Sequence, residues 1–156
     1  MPEITIKKVE GRKVAAIGGQ GPYDKVGPIF GELYSWLSKR GIESSEPSFG
    51  IYYDDPSKVA PEKCRYEICV PIMKETNGDE RVKIKTIPEI EVACITHKGS
   101  YSQIGSAWNK ICEWIDKEGY QWAGAGREVY LNCPETTPEE ELLTEIQIPI
   151  RKKESY

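Results

Sequence analysis

Three observations predict an α+β fold in which one strand, strand, helix, strand, strand unit is used twice. The chain is 156 residues long and reads twice along its length at a constant shift of 78. Each half places alternating apolar segments on both sides of a single stretch with helical spacing. A length near 150 residues, with 38% hydrophobic residues, suits one compact domain, here 1–156 divided into repeats 1–78 and 79–156.

The shift is visible residue by residue. Val14-Ala15-x-Ile17 returns as Val92-Ala93-x-Ile95, Gly21-Pro22-Tyr23 as Gly99-Ser100-Tyr101, and Gly27 as Gly105. Trp36 and Gly41 return at Trp114 and Gly119, while Tyr52 and Pro56 return at Tyr130 and Pro134. The later Glu67-Ile68-x-x-Pro71-Ile72 becomes Glu145-Ile146-x-x-Pro149-Ile150. No gap interrupts the register, so both halves are expected to fold alike.

Taken in order, Ile4 to Val9 alternates as a strand, and Val14 to Ile17 is a short apolar strand closed by Gly18-Gly19. After the Gly-Pro turn, Val26, Ile29, Phe30, Leu33, Trp36 and Leu37 recur every three or four residues, which puts one apolar stripe on a helix. That helix is expected to end near Gly41. Phe49 to Tyr53 and Tyr66 to Ile72 then read as two strands, separated by the loop from Asp54-Asp55-Pro56 to Pro61-Glu62. In the second half the helix stripe is Ile104, Ala107, Trp108, Ile111, Trp114 and Ile115. Both helices are expected to cover one sheet system around a shared core, with Trp36 and Trp114 inside it.

Composition narrows the function. A formal charge of −4 repels a phosphate backbone on average, so direct nucleic-acid binding is not expected. No apolar run approaches the roughly 20 residues of a membrane span. The opening MPEITIKKVE lacks the basic and apolar blocks of a secretory signal, which makes a cytoplasmic location the expectation. Five cysteines, Cys64, Cys69, Cys94, Cys112 and Cys133, form no CxxC, and His97 is the only histidine, so they read as reduced thiols, mostly buried, rather than as a metal site. No cofactor is expected either, because the glycines at 18, 19 and 21 lack dinucleotide-loop spacing. Ser100 and Ser102 lie close to His97 in sequence, but no acid completes a hydrolase triad. The aromatic set, with nine Tyr and four Trp against two Phe, is suited to a half-wet wall.

Duplication separates scaffold from site. A residue shared by both copies is explained by the fold, whereas one chemically unlike its counterpart is free to serve a site that exists once. Glu128 is the largest such difference, since its counterpart is Gly50 in an otherwise parallel stretch. On a strand it shares a face with Tyr130, opposite Val129 and Leu131. It faces away from the helix if Val129 and Leu131 meet the core, and inward if they do not. Glu145 lies with Gln147 on the face opposite Ile146, Ile148 and Ile150, and because the first copy has the same glutamate at Glu67 it suits either a structural hydrogen-bonding role or a pocket wall.

These paired units resemble the GyrI-like family, the effector-binding domain of AraC-type and MerR-type regulators. The likeness rests on GPY and GSY at the helix starts, IYYDDP and EVYLNCP after the helices, and the closing TEIQIPI. It implies two tandem SHS2 modules forming a concave antiparallel sheet with two long helices and a ligand cleft between the halves. It also implies binding of lipophilic, often cationic small molecules by a strand acid facing aromatic rings, and the position of that acid falls on Glu128. A carboxylate in an apolar wall favours pairing with a cation, and tyrosine and tryptophan faces add cation–π attraction of about 0.5 to 2 kcal/mol each. The candidate ligand-binding set is therefore Glu128, Tyr130, Tyr52, Glu145, Tyr101, Trp108 and Tyr23. Trp108 is poised between core and pocket.

Unlike the regulators, the chain leaves no room for a helix-turn-helix beside the two modules, so DNA contact would need another polypeptide. Sequestration of a small molecule is the leading expectation. Two alternatives are a hydrolase of cyclopropane-bearing natural products, with Glu128 as the catalytic group, and a gyrase-inhibitor-like module that binds a protein partner. Haem on His97 is the remotest reading.

Overall fold

The computed structural model describes residues 3–45 and 47–153; residues 1, 2, 46 and 154–156, among them the ends of the predicted 1–78 and 79–156 pair, lie outside the described residues. Among the described residues, nine strands and two α-helices follow the order β1 (Thr5–Val9), β2 (Arg12–Gln20), α1 (Gly27–Ser38), β3 (Phe49–Tyr52), β4 (Arg65–Pro71), β5 (Lys83–Ile87), β6 (Ile90–Lys98), α2 (Gly105–Lys117), β7 (Tyr120–Trp122), β8 (Gly126–Tyr130) and β9 (Leu143–Lys152). All strand pairs within each unit are antiparallel, in keeping with the α+β fold the sequence predicts. Most elements return 78 positions on, as β2 does in β6 and β4 in the first seven residues of β9.

The chain packs into two compact units. One comprises Gly11–Pro88 and the other joins the residues up to Glu10 with those from Glu89 onward. In the Gly11–Pro88 unit the strand order is β3-β4-β2-β5, and in the other it is β1-β6-β9-β8, with β7 added at the far end of β9. Only two residues, Glu10 and Gly11, link β1 to β2, yet these strands do not form a hairpin: β1 pairs with β6 and β2 with β5. Each unit thus takes its outermost strand from the other sequence repeat.

Each helix buries its stripe on the strands of its own unit. Leu33 and Leu37 of α1 pack with Ala15, Ile17, Ile68 and Val70, and Ala107, Ile111 and Ile115 of α2 pack with Ala93, Ile95, Ile146 and Ile148. After each helix a glycine with positive φ, Gly41 at 68° and Gly119 at 81°, turns the chain, a conformation in which a Cβ would be strained. The two tryptophans expected in the core sit at its rim instead. Trp36 is partly buried, receives Arg40 over its ring at 3.6 Å and donates its N–H to Asp79 at 2.8 Å. Trp114 stacks on Tyr120 with centroids 5.9 Å apart. For Trp36 the indole N–H explains the displacement, because a buried donor needs a partner and Asp79 at the rim supplies one.

β7 has no counterpart in the first repeat, where residues 42–44 are not a strand. Its three residues pair with Ile150, Arg151 and Lys152, a stretch of β9 that extends past the end of the matching β4.

Candidate functional site around Glu128

Strand register decides which way Glu128 points. Residues directly opposite one another in an antiparallel ladder share a face. Glu128 lies opposite Ile146, and Ile146 opposite Ile95. Both isoleucines belong to the core beneath α2, so Glu128 points to the helix side of the sheet. Tyr130 follows two residues later on the same face, in a cross-strand row with Thr144 and His97.

Two donors grip the carboxylate. The Trp108 indole N–H, from the second turn of α2, donates to Glu128 Oε2 at 2.7 Å, and the Tyr130 hydroxyl donates to Oε1 at 2.9 Å. Trp108 thus meets the Glu128 carboxylate while its ring also lies against the apolar residues beneath the helix. Tyr101, from the short turn ahead of α2, meets Tyr130 edge to face with centroids 5.7 Å apart. Glu128, Trp108 and Tyr130 are half-buried, and Tyr101 lies at 37% exposure.

The electrostatics follow from this enclosure. Burial pushes the Glu128 carboxyl above the ordinary glutamate range, while the hydrogen bonds from Trp108 and Tyr130 and the Coulombic attraction of His97 pull it back. Tyr101 is raised as well, first by burial and then by the nearby Cys133 and Glu128. What results is an anion held in place by neutral donors, with rings on several sides and His97 nearby.

The equivalent place in the first repeat has the same backbone and none of the charge. Tyr66 lies opposite Gly19 and Tyr52 opposite Tyr66. The Tyr66 ring fills the space a Cβ on Gly19 would occupy, and the Tyr52 ring does the same over Gly50. His97 and Glu128 stand at the positions of those two glycines. Tyr23 packs edge to face on Tyr52 at 4.7 Å. Its hydroxyl is committed to the loop backbone, accepting from Asp54 N–H at 2.9 Å within reach of the Arg65 carbonyl at 2.8 Å.

Among the sequence candidates, Glu128, Tyr130, Tyr101 and Trp108 come together, while Tyr23 and Tyr52 pack on each other within the Gly11–Pro88 unit. Glu145 does not join the cluster. It lies on the opposite face, opposite Val129, where it accepts from Lys7 at 2.8 Å and from Gln147. Its twin Glu67 accepts from the Tyr53 hydroxyl at 2.9 Å and pairs with Lys85.

Two residues beside the cluster were not in the ligand-binding set read from the sequence. His97 is buried, with Nε2 at 2.9 Å from the Ser100 carbonyl, and Thr144 is wholly buried with no hydrogen-bond partner for its hydroxyl among the described residues. The replacement of Gly19 by His97 is a signal of the same kind as that of Gly50 by Glu128. Ser100 and Ser102 bond to each other at 2.8 Å, and the imidazole meets a backbone carbonyl rather than either hydroxyl. Cys64, Cys69 and Cys94 are buried free thiols, Cys112 is intermediate and Cys133 exposed. No helix among the described residues is long and apolar enough to cross a membrane.

Helices on an antiparallel sheet, one strand of which carries an acid held among aromatic rings, make an α+β domain. Residues 2–151 match the model of the GyrI-like small molecule binding domain, and the chain belongs to that family. It is similar to a DNA gyrase inhibitor of Pectobacterium carotovorum, with 28% identity over 129 residues covering 78% of this chain and 80% of the relative. It superimposes on the C-terminal domain of EcmrR with a TM-score of 0.85 and 21% identity, covering 97% of this chain and 99% of that domain. Against the EcmrR chain in its complex with DNA, it spans 58% of the length. A hydrolase from Listeria innocua matches at a TM-score of 0.71 and 16% identity, over 96% of this chain and 92% of that one. SAV2435 bound to tetraphenylphosphonium matches at 0.63 and 12%, over 96% and 94%. At these identities the structural neighbours share the fold.

Proposed function

We propose that the protein binds lipophilic small molecules that carry positive charge, with Glu128 as the charge partner and Tyr130, Tyr101 and Trp108 as the aromatic wall. The observation that carries this reading is the half-buried Glu128 carboxylate, gripped by Trp108 and Tyr130 at a position that is glycine in the other repeat. Both donors are neutral, so they orient the anion without cancelling its charge. A ligand cation supplies the missing countercharge and gains ring quadrupole attraction at the same time. Flat aromatic faces set few demands on ligand outline, so charge and lipophilicity are selected ahead of identity. SAV2435, which shares the fold, was solved with a cation of this class.

The test is calorimetric titration of tetraphenylphosphonium and of its neutral relative triphenylphosphine oxide into wild type and Glu128→Gln. Wild type should prefer the cation, and the variant should lose about tenfold or more in cation affinity with little change toward the neutral compound. Equal cation affinity in both proteins rejects the role given to Glu128. Mass spectrometry of a cyclopropane-bearing compound after incubation should return it intact, and addition of water would reassign the same cage to hydrolysis.

A further inference from the structure

In the first repeat the positions matching Gly126, Trp108 and Glu128 hold Ser48, Phe30 and Gly50. Three differences thus occur together, and they are in contact. A Cβ built on Gly126 would lie 2.7 Å from Trp108 Cη2, 2.9 Å from Trp108 Cζ3 and 3.6 Å from Trp122 Cζ3. Gly126 sits in β8, outside the positive-φ glycines, so it is required for space and not for backbone freedom. The far edge of the Trp108 indole rests on its bare backbone, and the opposite side of the same rigid bicycle carries the N–H that holds Glu128 Oε2 at 2.7 Å. Trp122 closes one side of that seat. An indole pushed off Gly126 cannot keep its N–H in place, because the two ends of the ring system move as one body.

We propose that Gly126 is a positioning residue for ligand recognition: by leaving room for the Trp108 ring, it aims the indole N–H at Glu128 and so sets the orientation of the carboxylate that meets the ligand. This rests on the role given above to Glu128, but it acts in the ligand-free protein and is tested there. Phe30 has no N–H to aim and the matching Gly50 has no carboxylate to receive one, which explains why the first repeat tolerates a side chain at Ser48.

The experiment follows Glu128 ionisation by carbon NMR of carboxyl-labelled glutamate, with Glu128→Gln identifying its signal, in wild type, Gly126→Ala, Trp108→Phe and the double variant. Trp108→Phe should move the titration midpoint further up, because a hydrogen bond to the charged form is lost. Gly126→Ala should move it in the same direction and weaken tetraphenylphosphonium binding about fivefold to tenfold. Adding Gly126→Ala to Trp108→Phe should then change the midpoint no further, and the smaller ring should restore the melting temperature that Gly126→Ala loses. An unchanged midpoint in Gly126→Ala, or additive midpoint shifts in the double variant, overturns the proposal. If Gly126→Ala alone does not fold, the double variant decides: a folded protein titrating like Trp108→Phe supports it, and an unfolded one shows that the indole is not what the methyl meets. Absence of cation binding by wild type would overturn the proposed function while leaving the midpoint comparison intact.

Discussion

Glu128 is held at a cost that pH reveals. Its midpoint lies above the ordinary glutamate range because the folded protein desolvates the charged form. The folded state therefore keeps its proton to higher pH than the unfolded chain does. Stability from the neutral carboxyl is complete below the unfolded value and is lost as pH rises through the raised folded midpoint. Glu128→Gln lacks this titration, so its melting temperature relative to wild type should climb from about pH 4 upward through the raised folded midpoint and then level off. Parallel melting curves across that range would show that the carboxylate is not desolvated. A bound lipophilic cation should narrow the gap from the wild-type side, because it favours the charged form. At this scale the glycine twin singled out Glu128 in the sequence, and the structure sets it beside Trp108 and Tyr130, whereas Glu145 lies on the other face. Cross-strand register separates the two, and a single strand read alone has no register.

At the scale of elements, the turn entering β5 shows how short-range polar contacts hold a strand in place. Asp79 accepts the Trp36 N–H at 2.8 Å and the backbone N–H groups of Arg81 and Val82 at 2.9 and 2.8 Å. The Trp36 bond first, then those two backbone bonds, lower its carboxyl to about 2. A depressed acid contributes stability that is present above its unfolded value and lost as pH falls through the folded one. Asp79→Ala should therefore melt lower than wild type at neutral pH, with the difference shrinking toward pH 2, and a constant difference would deny the charge a part. Gly78 before it has no room for a side chain, since an added Cβ would collide with the Val82 carbonyl. The helices were readable from their stripes, because three and four residue spacing is a property of one segment. β7 was not readable: three residues carry too little periodicity, and the first repeat offered no copy of it to compare.

Across the whole molecule, the exchange of outer strands ties the two sequence repeats together. Lys7 of β1 pairs with Glu145 of β9, and 78 residues on, Lys85 of β5 pairs with Glu67 of β4, so each lysine finds the glutamate of the other repeat. These pairs are partly exposed and contribute modestly; the larger contribution is the ladder of β1 on β6 and the packing of Ile4 on the core under α2. Deleting the chain through Glu10 should speed amide exchange in β6 markedly while β2 and β4, whose partners remain, stay protected. Protection of β6 equal to that of the full chain would mean that β1 adds nothing to this unit.

The amino-acid order alone determined the doubling, the helices with most of the strands, and the place in the strand after the second helix where Glu128 replaces Gly50, because periodicity and internal repetition are written along a single line of residues. Tertiary structure decided which strands pair, which face Glu128 and Glu145 occupy, and that Trp108, Tyr130 and His97 surround the acid while Gly126 makes room. Those outcomes depend on contacts between segments far apart in the chain, where burial and hydrogen-bond geometry choose among arrangements that local patterning leaves equal.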